Sequence, residues 1–207
     1  MQDRRQLHLI VSATTILTDD GLARVRDALD TGVDVVQIRE TGASARAILT
    51  AANRLAPHAA GAGAALLIND RVDVAAVLGN AGVHLGGRSL PVAVVRRSFA
   101  FPLIGISVHS KDEAVAATGA DYITFGHVFA TRSHPGEPPA GTGALAEVVA
   151  AVELPVIAIG GITAGNVADV IATECAGIAV ISAILDAADP RAATRALRAA
   201  LDQPPMS

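Results

Sequence analysis

The sequence contains one cysteine and no tryptophan, and only 2% of its 207 residues are aromatic. The single cysteine, Cys175, excludes an internal disulfide and a zinc cluster built from cysteines. Because aromatic residues are scarce, alanine, valine, isoleucine and leucine must fill the core. With 51% hydrophobic and 17% charged residues, the chain has enough apolar surface for a large core of that kind.

The chain also lacks an excess of positive charge and a long apolar run. Its net charge of -4 gives no electrostatic basis for binding nucleic acid. No apolar run reaches transmembrane length without a charge or a glycine-rich break, and residues 1–5 lead into no signal-peptide core. We therefore expect a soluble, cytoplasmic protein without nucleic-acid or membrane partners. The sequence leaves a homo-oligomer open.

Eight short apolar runs recur along the chain, and stretches with helical periodicity separate them. The runs cover residues 7–12, 33–38, 65–68, 82–85, 103–108, 121–125, 156–159 and 177–181. Continuous apolar strands are typical of parallel sheets that are buried on both faces. Eight repeats, without a G-x-G-x-x-G turn, favour a closed barrel over an open doubly wound sheet. The predicted fold class is α/β, a single (β/α)8 TIM barrel over residues 1–207 with a frayed tail at 202–207.

Local signals place several helices between these runs. Ser44 is a predicted N-cap, and Asp189-Pro190 is expected to open the last helix. Val72, Ala75 and Ala76 have the spacing of a buried helical face. The one long connection, 125–145, is polar and rich in turn-forming residues, which is typical of functional loops.

Glycines and small residues follow the last two predicted strands. Gly160 and Gly161 come after the seventh strand, and Ile181 and Ser182 stand at the end of the eighth. In (β/α)8 barrels, the loops after these two strands commonly hold phosphate through backbone N–H groups. We favour a phosphate site here over the alternative that the glycines only form tight turns.

Polar residues also end the second and third strands. Arg39 would project at the barrel mouth, where its guanidinium suits a carboxylate or a phosphate; the alternative is a surface pair with Glu40. Asn69 and Asp70 could orient a ligand or hold a metal, or they could cap the following helix. Both alternatives stay open.

Three histidines lie near strand ends. His84 sits inside an apolar strand, which favours a hydrogen-bonded core position. His109 begins a loop, and its position does not distinguish a functional role from a structural one. His127 begins the long connection at the barrel mouth, where an imidazole could act as a general acid–base. From position alone, a functional and a structural role are equally open for His127.

Taken together and in order, six stretches resemble the thiamin phosphate synthase superfamily. They are residues 37–40, 68–71, 82–86, 121–129, 158–163 and 180–184. The resemblance runs through nearly the whole chain and implies a (β/α)8 barrel. One branch of that superfamily is thiamin phosphate synthase, which joins a pyrimidine diphosphate to a thiazole phosphate with magnesium. The other is the thiazole tautomerase of the TenI type, which aromatises a carboxythiazole phosphate without a metal.

Several positions depart from the synthase pattern. Thr41 stands where that pattern has lysine, and Ser89 stands in the loop where it has a second magnesium-binding aspartate. The run 131–134 reads Thr-Arg-Ser-His instead of Thr-x-Thr-Lys. His127 stands where the synthase has proline, and in the tautomerase branch this histidine is the catalytic acid–base.

These departures lead us to predict a thiazole tautomerase, an isomerase with His127 as its catalytic residue. The predicted substrate-binding residues are Arg39, Asn69, Gly160, Gly161, Ile181 and Ser182. The substrate would be a small phosphorylated thiazole, and no metal and no cofactor are expected. Two alternatives remain: a divergent thiamin phosphate synthase, which would need Asp70 and magnesium, and a non-catalytic regulatory binder of thiazole or thiamin phosphates.

Overall fold

A computed structural model describes residues 4–203 and shows a closed barrel of eight parallel strands in the order β1 to β8. The strands are β1 (Gln6–Val11), β2 (Val35–Ile38), β3 (Ala65–Asn69), β4 (Gly82–Leu85), β5 (Ile104–Val108), β6 (Tyr122–Gly126), β7 (Val156–Ile159) and β8 (Gly177–Val180). The helices are α1 (Ala13–Leu17), α2 (Asp19–Leu29), α3 (Ala45–Gly61), α4 (Val72–Leu78), α5 (Val92–Ser98), α6 (Lys111–Ala116), α7 (Gly141–Ala151), α8 (Val167–Ile171), α9 (Ser182–Leu185) and α10 (Pro190–Leu201). The predicted (β/α)8 barrel is confirmed.

Alternate residues of each strand face either the barrel interior or the surrounding helices. Ile10, Val35, Leu67, Tyr122 and Ile157 belong to the cluster that fills the interior. A larger cluster of valine, leucine, isoleucine and alanine packs the strands against the helices. The barrel therefore has a packed core instead of a pore, and a ligand would bind at the end of the barrel.

Helix boundaries follow local chemistry in two predicted places. Ser44 caps α3 by accepting a hydrogen bond from the Ala47 backbone, and Asp189 caps α10 in the same way, with Pro190 at the first helical position. The predicted face of α4 is wrong at one position, because Ala76 is exposed and Val74 is buried instead. The short helices α1 and α9 were not predicted, since four or five residues carry no clear periodicity.

Asp202 and Gln203, at the end of the described residues, each have a partner elsewhere in the fold. Asp202 forms an ion pair with Arg198 at 2.8 Å, and the Gln203 carbonyl accepts a hydrogen bond from Arg5 at 2.9 Å. The frayed tail at 202–207 stays a prediction, and residues 204–207 lie outside the described part. Within residues 4–203, no helix is long and apolar enough to cross a membrane.

Candidate active site

A cavity of about 460 Å³ opens at the C-terminal ends of the strands. Six of the seven predicted site residues line it, namely Arg39, Asn69, His127, Gly160, Ile181 and Ser182. The seventh, Gly161, packs instead beneath the loop that follows β6, where an added Cβ would lie 2.5 Å from the Ala130 carbonyl oxygen. A volume of this size is typical of small-molecule sites.

A chain of polar side chains crosses the wall of this cavity. Gln37 Nε2 donates to Asn69 Oδ1 at 2.9 Å, and Asn69 Nδ2 donates to Asp70 Oδ2 at 2.7 Å. Neither Asn69 nor Asp70 caps α4, whose N-terminus has no side-chain cap. The capping alternative is therefore wrong. Sequence reasoning missed Gln37, although a lone polar residue within an apolar strand was a signal for an inward-facing group.

The carboxylate of Asp70 is held in place by several donors. Its Oδ1 accepts hydrogen bonds from the Gly86 backbone at 3.0 Å and from the Ser89 hydroxyl. Asp70 has a φ of +58°, a conformation that is uncommon outside glycine and that often occurs at functional sites. The result is one oriented carboxylate on the cavity wall.

His84 lies where the interior core meets the cavity. It is buried, and its ring nitrogens pair with the Tyr122 hydroxyl at 2.8 Å and the Ser107 hydroxyl at 2.9 Å. Burial disfavours the imidazolium and lowers the pKa of His84 to about 4. The structure thus places His84 as a hydrogen-bonded core histidine that also lines the cavity.

His109 and His127 lie on the cavity wall with different partners. His109 Nδ1 donates to the Gly126 carbonyl at 2.8 Å. His127 Nε2 contacts the Glu137 carbonyl at 3.3 Å, and its ring stacks on that of His134.

Arginine side chains converge on the cavity from three separate loops. Arg39, Arg88 and Arg132 line it, and the last is paired with Asp186. Glu40 instead accepts a hydrogen bond from the Thr14 hydroxyl at 2.9 Å, and among residues 4–203 no ion pair joins it to Arg39. The surface-pair alternative for Arg39 is therefore wrong. Sequence reasoning missed Arg88 and Arg132 as site residues, because loop arginines are common and only the barrel brings these two together.

The backbone conformation and the close contacts after β7 require glycine at positions 160 and 161. Gly160 and Gly161 have φ values of +103° and +66°, and a Cβ on Gly160 would lie 2.3 Å from the His127 Cβ. This arrangement brings the β7 loop against the start of the β6 loop. The two loops therefore form one wall of the cavity, with His127 at their contact.

Replacing Gly160 should weaken the fold as well as the site. We expect Gly160→Ala to lower the free energy of unfolding by at least about 2 kcal/mol, from backbone strain and the collision with His127. Gly143→Ala is the matched control, since Gly143 lies in α7 with nothing within 4 Å of an added Cβ. Urea unfolding should show the control to be equal or more stable, as alanine favours a helix. Equal stability of Gly160→Ala and the unmodified protein would contradict the strain argument.

The fold and this cavity define a class: a (β/α)8 barrel whose C-terminal face carries a cavity lined by arginines, an oriented carboxylate and a glycine loop. Residues 7–184 match the model of the family described as thiamine monophosphate synthase. The chain belongs to this family.

Named relatives and one solved structure are similar over almost the whole chain. The thiamine-phosphate synthase of Methanoculleus marisnigri is 46% identical over 195 residues, which cover 88% of this chain and 92% of that protein. That of Chloroflexus aurantiacus is 41% identical over 202 residues, covering 93% and 94%. The thiamine phosphate pyrophosphorylase of Pyrococcus furiosus superposes with a TM-score of 0.85 at 35% identity, covering 95% of each chain.

These relatives overturn the predicted activity. The tautomerase interpretation, and with it the isomerase class, is wrong, because the similar proteins are synthases, which are transferases. His127, Thr41 and Ser89 alone do not decide the activity, because function depends on all the side chains that face the cavity. The predicted proton-transfer role of His127 belonged to the tautomerase reaction and loses its basis with it. The cytoplasmic location and the oligomeric state stay predictions.

Proposed function

We propose that this protein is a thiamin phosphate synthase, which couples a pyrimidine diphosphate to a thiazole phosphate and releases diphosphate. The observation that carries the proposal is the 41–46% identity to several thiamine-phosphate synthases over most of the chain. The cavity supports it, because two phosphorylated substrates need several cationic and N–H groups in one place.

The positive charges of the cavity suit the diphosphate of the pyrimidine substrate. Arg39, Arg88 and Arg132 offer guanidinium groups, which bind phosphate oxygens in a forked geometry. Arg88 and Arg132 would supply positive charge that the departures at Thr41 and His134 remove. As the bond between carbon and the diphosphate oxygen breaks, these groups would stabilise the charge on the leaving group.

The thiazole phosphate would bind at the loops after β7 and β8, where the sequence predicts a phosphate site. Gly160 and Ile181 line the cavity there, and Ser182 begins α9 with backbone N–H groups that lack helical partners. Gly161 would not contact the phosphate, but it would allow the β7 loop to pack against the loop after β6. Asn69, held by Gln37, would orient the pyrimidine side through its hydrogen-bonding groups.

The side chains at Asp70 offer the smallest number of protein ligands with which magnesium is commonly bound. Magnesium commonly binds through one or two carboxylates, several waters and substrate phosphates. Asp70 supplies one oriented carboxylate, and Ser89 adds a hydroxyl beside it. A bound magnesium would neutralise part of the diphosphate charge. The expectation of a metal-free site rested on the tautomerase interpretation and loses that support.

The proposal is tested by incubating the purified protein with the pyrimidine diphosphate and the thiazole phosphate, with and without magnesium. We expect thiamin phosphate and diphosphate in equal amounts, and little product after chelation. Tight binding of thiazole phosphate or thiamin phosphate without any turnover would contradict the proposal and favour the regulatory binder.

A second carboxylate beside Asp70 should strengthen the magnesium site. We expect Ser89→Asp to lower the magnesium concentration needed for half-maximal activity by roughly tenfold, because added ligand charge raises cation affinity. Ser98→Asp, at the exposed end of α5, is the matched control and should change nothing. A magnesium dependence that is the same in Ser89→Asp and the unmodified protein would place the metal elsewhere.

A further inference from the structure

Two histidines and a glutamate gather in the connection between β6 and α7. Among residues 4–203, His127, His134 and Glu137 form a group whose potential ligand atoms all lie within 4.8 Å of one another. The two imidazole rings are nearly parallel, with centroids 4.9 Å apart. His134 Nδ1 lies 3.4 Å from Glu137 Oε2.

We propose that His127, His134 and Glu137 form a binding site for a transition-metal dication of the zinc type. Two imidazole nitrogens and one carboxylate oxygen are a donor set that zinc accepts with a fourth position left for water or another ligand. Magnesium prefers oxygen ligands, so this site is chemically distinct from the one at Asp70.

The distances suit tetrahedral coordination after small side-chain movements. Metal–ligand bonds of about 2.0–2.1 Å place neighbouring ligand atoms about 3.4 Å apart in a tetrahedron. The pair formed by His134 and Glu137 is already at 3.4 Å. The remaining separations must shorten by about 1.4 Å at most to reach that edge length. His134 and Glu137 are only partly covered, which leaves their side chains room to rotate.

The backbone brings the three residues together from two parts of the connection. Gly141 N donates to the Val128 carbonyl at 3.1 Å, and Ala140 N donates to the His127 carbonyl at 2.9 Å, so the base of the connection is closed. Glu137 N approaches the His134 carbonyl at 3.4 Å in a turn that places both side chains on one side. A bound metal would thus join the base of this connection to its outer turn.

The site lies at the rim of the cavity. His127 and His134 line the cavity, as do Thr131, Arg132 and Ser133 between them. A metal that ties this segment down would hold Arg132 beside the cavity. The metal would therefore reduce the mobility of one wall of the substrate site without being needed for the barrel itself.

The test measures metal binding by the full chain, without an affinity tag and without substrates. Metal-free protein is titrated with Zn²⁺ against a chromophoric chelator, and with Co²⁺ while its visible absorption is recorded. We expect one equivalent of each metal to bind, intense Co²⁺ bands of tetrahedral character, and no displacement by millimolar Mg²⁺. Because no turnover is measured, a failure here would leave the proposed synthase activity untouched.

Variants distinguish the three-ligand site from non-specific metal binding to surface histidines. His127→Ala, His134→Ala and Glu137→Gln should each weaken Zn²⁺ binding by at least tenfold, whereas His58→Ala and Glu147→Gln should not change it. Thermal unfolding without metal verifies that each variant is folded, and Zn²⁺ should raise the Tm only where all three ligands are present. Unchanged affinity in Glu137→Gln, equal losses in His58→Ala, or no saturable binding would overturn the proposal.

Discussion

Asp70→Asn is expected to reduce the coupling rate by at least roughly 100-fold, because a metal held at a phosphate contributes several kcal/mol to transition-state stabilisation. Asparagine keeps one acceptor oxygen for the Gly86 N–H and the Ser89 hydroxyl, it loses only the acceptor for Asn69 Nδ2, and it tolerates the positive φ of this position. The fold should therefore survive while the negative charge is lost. Steady-state rates across a magnesium series measure the effect.

Asp112→Asn is the matched control, since Asp112 is exposed in the first turn of α6. Its rate and magnesium dependence should equal those of the unmodified protein. Equal thermal unfolding of both variants would show that any loss in Asp70→Asn arises in the site. Coupling by Asp70→Asn at nearly the original rate would remove Asp70 from the magnesium site.

The second large effect concerns the stability of the barrel in acid. Burial lowers the pKa of His8 to about 3, with a smaller contribution from the positive charge of His84, whose own pKa falls to about 4. Both histidines have an ordinary pKa of 6.5 in the unfolded chain. Below pH 6.5 the unfolded chain binds protons that the folded barrel excludes. The stability that these two histidines contribute is thus fully present above pH 6.5, and it is lost as the pH falls towards about 4.

Each of these histidines should contribute about 1.4 kcal/mol per pH unit to that loss, or about 5 kcal/mol for both between pH 7.5 and 4.5. Urea unfolding at several pH values measures the slope. His8→Gln should reduce the slope by about 1.4 kcal/mol per unit, whatever its stability at neutral pH. His58→Gln, on α3, is the control and should keep the original slope. An identical slope in His8→Gln would show that other groups cause the acid sensitivity.

The sequence alone predicts the barrel because its strands and most of its longer helices carry their own signals. Eight apolar runs, separated by amphipathic stretches with identifiable caps at Ser44 and Asp189, leave few other folds. The loops at the C-terminal face could also be chosen, since parallel strands bring their ends to one edge. This is why six of the seven predicted site residues line one cavity.

The activity within the family was predicted incorrectly for a physical reason. His127, Ser89 and Thr41 are single side chains, and a sequence pattern does not show which other side chains face the cavity. Arg88 and Arg132 come from other loops, and sequence spacing says nothing about their distance from Asp70. Relatives of 41–46% identity, all of them synthases, contradict the tautomerase interpretation.

By itself, the sequence determined the eight-fold alternation, the closed barrel and the face that holds the site, because hydrophobic periodicity and caps are local properties. Only the tertiary structure decided that Asp70 is held by Gly86 and Ser89 instead of capping α4, and that His127 meets His134 and Glu137. These contacts join residues that are separated along the chain or lie across a turn. Their geometry depends on how the loops pack once the barrel has closed, which no local pattern encodes.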